Sequence, residues 1–190
     1  MKRAALALLV GCALVAQAAA QGAPPKAKVL SPPEDATKAT VLVGRASAAN
    51  MGIVFEIEAA KGMWMRMGTP PRWLEHPPAA GEKFHLEVKP TDLKSKTRVP
   101  YAEVRLSAVN TGNGKKIEGI LHPMWGGSGL HYAMNSALAG DGIYKVQVTV
   151  DSPSFGRAPA DKDLWREPVS ASFHFKLKGN QLVEVSEPGP

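Results

Sequence analysis

The sequence predicts an all-β domain, an immunoglobulin-like antiparallel β-sandwich. Three observations carry that prediction. Segment after segment alternates apolar and polar residues with a period of two, as half-buried strands do. Turn residues punctuate those segments, and the 190-residue chain holds 18 Gly and 16 Pro. No long stretch keeps the 3.6-residue period of an amphipathic helix. Many short strands with Gly- and Pro-rich connections are the signature of a two-sheet sandwich.

The elements follow in chain order. Residues 1–22 open with Lys2 and Arg3, run through a short apolar stretch and end in small residues. That is the anatomy of a secretory signal peptide, too short and wrongly flanked for a membrane span. Cleavage near Ala18–Ala20 is expected, and it would remove the only cysteine, Cys12. The alternative is a lipoprotein anchored at Cys12 in "LVGC", but the apolar run continues past it through "ALVAQAAA". An exported chain without cysteine has neither disulfides nor thiolate metal sites and must rely on its core. The formal charge of +6 includes Lys2 and Arg3, and the remaining basic residues are scattered without stacking aromatics. Nucleic-acid binding therefore has no motif behind it.

Residues 23–39 are Pro-rich and charged and read as a tether leading into the domain at 40–180, with a C-terminal tail at 181–190. Strands are expected at 40–46, 52–59, 83–89, 101–109, 115–121, 143–150 and 169–177. "NTGNGKK" at 110–116 and "AGDGI" at 139–143 supply turns. The connection at 151–168 is long, as functional or mobile loops often are.

Three places carry donor chemistry. In "HLE" at 85–87, His85 and Glu87 are i and i+2 on a strand and project together, away from the face of Phe84, Leu86 and Val88. An imidazole and a carboxylate about 7 Å apart along a strand can converge on one cation. The plainer reading is an ordinary polar strand face. In "LHPMWGGSGLHYAMN" at 121–135, a Gly-rich bend can fold Met124 toward His131. Thioether with imidazole suits copper; the plainer readings are a core-filling Met and a histidine bonded to a loop carbonyl. His122 ranks lower, on the expectation that it points away from Met124. "GMWMRMG" at 62–68 aligns Met63, Met65 and Met67, either as a soft Cu(I) site or, as the preferred reading, as adaptable packing against the core. His76 and His174 read as structural or exposed. No nucleophile elbow, HExxH or phosphate loop occurs, so the chain reads as a binding protein and not an enzyme.

The segments "EKFHLEV" (82–88) and "VRLSAVNTGNGKKIEGILHPMWGGSGLHYAMNSALAGDGIYKVQVTVDSP" (104–153) resemble the periplasmic iron transporter family. These are copper- and iron-binding proteins that accompany high-affinity iron permeases. The specific part is "PM…G.HY..N" with "HLE" upstream, in order over roughly residues 50–178. The resemblance implies an immunoglobulin-like sandwich, a periplasmic location, a homodimer and an inner-membrane iron permease as partner. It also implies copper and/or iron held by His85, Glu87, Met124 and His131. The chain departs from the family pattern in three places. The stretch 156–163 lacks the histidine usual there, with Asp161 and Asp163 as the available substitutes. Ser128 replaces an acidic residue, and Trp125 a small apolar one. The alternative function is an interaction module without a working metal site; an Fe(II) oxidase has no dedicated signature.

Overall fold

A computed structural model describes residues 25–187; the expected signal peptide and Cys12 lie outside the described residues. Twelve strands are described: β1 (Ala27–Asp35), β2 (Val41–Ala48), β3 (Met51–Ala59), β4 (Met63–Met67), β5 (Arg72–His76), β6 (Phe84–Asp92), β7 (Val104–Asn110), β8 (Lys116–Gly126), β9 (Gly129–Ser136), β10 (Gly142–Val150), β11 (Val169–Lys178) and β12 (Gln181–Ser186). Ten of them form one antiparallel sheet in the order β1-β12-β11-β10-β7-β8-β9-β6-β3-β2, and β4 pairs only with β5. The fold is all-β, as the alternation predicts.

β8 is the strand that turns this sheet around. Lys116–Leu121 pairs with β7, whereas His122–Gly126 pairs with β9. The two halves of the sheet therefore face each other, and β2 comes back against β11 and β12, so the sheet nearly closes. Alternation decides what fills the space between. On β3, Met51, Ile53, Phe55 and Ile57 point inward and are buried. Phe55 meets Phe173 and Phe175 of β11, with ring centroids at 5.6 and 6.5 Å. Tyr144 stacks on Phe175 at 4.7 Å. Gly44 is small for a reason: a Cβ there would lie 2.9 Å from the Phe173 ring.

Four expectations change. The Pro-rich stretch expected as a tether contains β1, whose edge position tolerates Pro32 and Pro33 because their missing N–H groups face no partner strand. The expected tail contains β12, paired on both sides by β1 and β11. The Gly-rich loop at 121–135 is a β-hairpin, closed between Gly126 and Gly129, with Gly129 at φ +80. The long connection at 151–168 is pinned. Trp165 is buried and donates its indole N–H to the Ala49 carbonyl at 3.0 Å. Arg157 binds the carbonyls of Pro153, Leu164 and Trp165.

β6 breaks the alternation: Phe84–Pro90 is buried on both faces. One face belongs to the core. The other lies under a cover that begins at Lys61, whose backbone is bonded to Asn135 of β9 and which leads into the β4–β5 hairpin. Polar side chains under that cover make the candidate site.

Candidate metal centre

Strand register builds the site. His85 and Glu87 leave β6 on the face opposite Phe84, Leu86 and Val88, as the i, i+2 spacing predicts. Across β9, His85 is paired with Asn135 and Glu87 with Ala133; across β3, Glu87 is paired with Glu56. Met124 and His131 are direct partners in the β8–β9 hairpin, so the bend does bring them together. His85, Glu87 and His131 each present a ligand atom within 4.8 Å of the others'. Their relative exposures are 0%, 3% and 1%.

The hydrogen bonds fix both imidazoles in one tautomer. The Asn135 side-chain N–H₂ donates to the Lys61 carbonyl at 2.9 Å, so its oxygen is the atom that faces His85 Nδ1 at 2.8 Å. Nδ1 of His85 must then carry the proton. His131 Nδ1 lies 2.9 Å from the Gly129 carbonyl, which can only accept. In both rings the proton sits on Nδ1 and the lone pair on Nε2. Both Nε2 atoms are buried with no hydrogen-bond partner. A buried polar atom left bare costs about 1–3 kcal/mol, and an Nδ1–H held by a carbonyl is how metal-ligating histidines are oriented. The residues present therefore fit a metal ion. Gly126 leaves room for the arrangement, since a Cβ there would stand 3.1 Å from His131 Cε1.

Electrostatics centre on Glu87. Its Oε1 accepts hydrogen bonds from Lys89 Nζ at 2.8 Å and Ser128 Oγ at 3.0 Å. Lys89 in turn reaches Glu56 at 2.5 Å. Burial pushes the Glu87 carboxyl up, but Lys89, nearby His131 and Ser128 together hold it below the usual carboxylate value. Lys89 is pulled down by burial and raised further by Glu56 and Glu87, for a net upward shift. Burial dominates at His85 and pushes its pKa down, against the hydrogen bond to Asn135. His85 thus favours the neutral form, the one that ligates.

A cleft of about 750 Å³ opens over the centre, walled by Met63, Trp64, Trp73 and Trp125 and floored by Met124 and His131. His122 requires correction. It is i, i+2 with Met124 on β8, shares its face, and lines the same cleft. Asp161 and Asp163 do not line the cleft, and Asp163 is paired with Arg166 at 3.1 Å on the surface. His76 is exposed; His174 is buried beside Glu184 at 3.6 Å. Asn135, Ser128, Lys89 and Glu56 have roles here that the sequence reading did not assign. Asn135 was visible as the last letter of "HY..N", and Lys89 as the next residue on the His85/Glu87 face.

An all-β antiparallel protein with a buried His–Glu–His cluster, His131 of which is paired across the hairpin with Met124, is the class that fold and site define. The chain belongs to the Fe2+ transport protein family, which matches residues 67–179, more than half its length. Among solved structures it is similar to "as isolated" FetP of uropathogenic Escherichia coli strain F11, with 25% identity and a TM-score of 0.61 over 73% of this chain and 96% of that one. It is also similar to copper-reconstituted Campylobacter jejuni P19, with 25% identity and a TM-score of 0.59 over 74% and 97% of the two chains. A copper-bound P19 variant matches at 25% identity and the same TM-score, over 74% and 98%. No curated protein matches the chain.

Proposed function

We propose that this chain is an exported, periplasmic metal-binding protein that carries copper and/or iron at His85, Glu87, Met124 and His131 and assists an inner-membrane iron permease. One observation carries the reading: two buried histidines on neighbouring strands each commit Nδ1 to a carbonyl and leave Nε2 bare, and one ligand atom from each lies within 4.8 Å of the other and of a Glu87 carboxylate oxygen. The family match supports iron transport as the setting. The likeness to copper-containing P19 supports copper as one of the ions. Among the described residues no helix is long and apolar enough to cross a membrane, in keeping with a partner that supplies the membrane path.

His85 and His131 supply neutral imidazole nitrogens, Met124 a soft sulfur and Glu87 a hard oxygen. That mixture suits an ion that changes between soft Cu(I) and harder Cu(II) or Fe(II). Ser128 and Lys89 hold the carboxylate in place. An immunoglobulin-like class for the all-β fold and a homodimer are part of the same proposal.

The exposed Trp64, Trp73 and Trp125 around the cleft favour a second reading, an interaction module with no working metal site. Metal analysis of protein purified from the periplasm separates the two. Near-stoichiometric copper or iron, lost in a His85→Gln, His131→Gln chain, is the expected result. Metal-free wild type that takes up neither ion on titration would sink the metal reading.

A further inference from the structure

We propose that the β4–β5 hairpin carries a second metal site, a soft one for Cu(I), built from the thioethers of Met63, Met65 and Met67 and the imidazoles of His76 and His122. Met63, Met65 and Met67 alternate along β4 and so share one face. Met63 is paired with His76 across the two-stranded sheet. His122 arrives from β8, a different part of the fold. All five side chains line one cavity of about 230 Å³.

Packing does not account for this set. β4 lies outside the ten-stranded sheet, and Met63, though buried, is separate from the main core cluster, to which Met65 and Met67 do not belong either. Met63 is buried beneath the hairpin, but Met65 is only partly covered and Met67 is 41% exposed. An exposed thioether gains little from the adaptable gap-filling that makes Met useful inside proteins. The distribution over the whole chain points the same way. Among the described residues, Met63, Met65, Met67, Met124 and Met134 line this cavity or the adjoining cleft, and Met51 sits deep in the core. Of five histidines, His76, His122 and His131 line one or other of these spaces, and His85 lies in the buried cluster with His131. Sulfur and imidazole donors, with the exposed rim that lets an ion in, select soft Cu(I) over hard divalent ions. Met63, Met65 and His122 also line the cleft above Met124 and His131, so the hairpin site and the deeper centre share a wall.

The proposal stands apart from the function proposed for His85, Glu87, Met124 and His131, and its test keeps the two separate. Three full-length mature chains are titrated with Cu(I) under argon against bicinchoninate: wild type, Met65→Leu/Met67→Leu/His76→Gln, and His85→Gln/His131→Gln. Leucine preserves methionine's volume, and far-UV circular dichroism verifies that all three are folded. The hairpin variant is expected to take up one Cu(I) fewer than wild type. In the His85→Gln/His131→Gln chain, labelled at the methionine methyls, Ag(I) as a redox-inert probe is expected to shift the Met65 and Met67 resonances. Cu(I) uptake by the hairpin variant equal to wild type, or Met65 and Met67 methyls unmoved by Ag(I), overturns the hairpin site. An unchanged Cu(I) uptake by the His85→Gln/His131→Gln chain would count against the deeper centre alone.

Discussion

Asn135 holds His85 and the methionine hairpin at once. Its side-chain oxygen accepts a hydrogen bond from Nδ1–H of the buried imidazole, and its N–H₂ group donates to the Lys61 carbonyl, two residues before β4. The residue that sets the histidine's tautomer is therefore also the hinge-pin of the cover over it. Asn135→Ala should release both. Second-layer losses of this kind typically weaken metal binding by about 10–100-fold. Calorimetric titration of the folded variant checks it, and an affinity within twofold of wild type would remove Asn135 from the site.

The four proposed donors differ in the oxidation state they favour, and that difference is measurable. Met124→Leu should weaken Cu(I) far more than Cu(II), while costing the fold less than about 1.5 kcal/mol. Glu87→Gln should do the reverse, because carboxylate oxygen favours the harder ion. The ratios of dissociation constants for both ions in both variants decide. Two variants with both affinities unchanged would mean that strand β6 and the β8–β9 hairpin do not share an ion.

Lys89 competes with any cation for Glu87. Replacing it with methionine removes a buried positive charge 2.8 Å from the carboxylate and leaves Glu56 and Glu87 facing each other. Divalent ions should bind the Lys89→Met chain more tightly than wild type. The metal-free variant should be less stable near neutrality by roughly 3–5 kcal/mol, the usual cost of stripping one partner from a buried pair. Adding the divalent ion should recover part of that loss, because a ligand that binds only the folded chain stabilises it. Urea unfolding at pH 7 with and without the ion reads both effects.

Acid should act on the metal-free protein in two stages. His85 has a folded pKa below the ordinary 6.5, so protonation favours the unfolded chain. Its contribution is present above pH 6.5 and is lost as pH falls through the lowered folded value. Glu87 follows further down: its folded pKa is below the ordinary 4.5, so its contribution is present above 4.5 and lost below it. Urea midpoints measured across this range should decline in both windows, and His85→Gln should flatten the upper one. An unchanged upper slope in that variant would mean that another group titrates there.

How much of this was legible depended on whether one strand or two had to be read. His85 and Glu87 share a strand, so their common face follows from spacing alone. Met124 and His131 could be paired because Gly126–Gly129 forms so short a turn between them. The same i, i+2 rule places His122 on the face of Met124, against the expectation that it points away. Asn135 and Glu56 belong to the site through cross-strand register, and register between distant strands is not written in either strand separately. β1 was hidden by Pro32 and Pro33, which suit an edge. β5, exposed along its whole length, shows no burial pattern to betray it.

The turn of β8 from one neighbour to another has a consequence for how cargo is given up. Because that strand is continuous from its pairing with β7 to its pairing with β9, the hairpin bearing Met124 and His131 is an extension of the framework rather than a loop laid on it. On the proposed function, His85 and His131 are held in place by hydrogen bonds from Nδ1 to carbonyl oxygens of the protein itself. Loading then asks little rearrangement of the chain, and unloading asks no unfolding. If the chain carries metal as proposed, it can pass the ion onward and be ready, in the same shape, for the next.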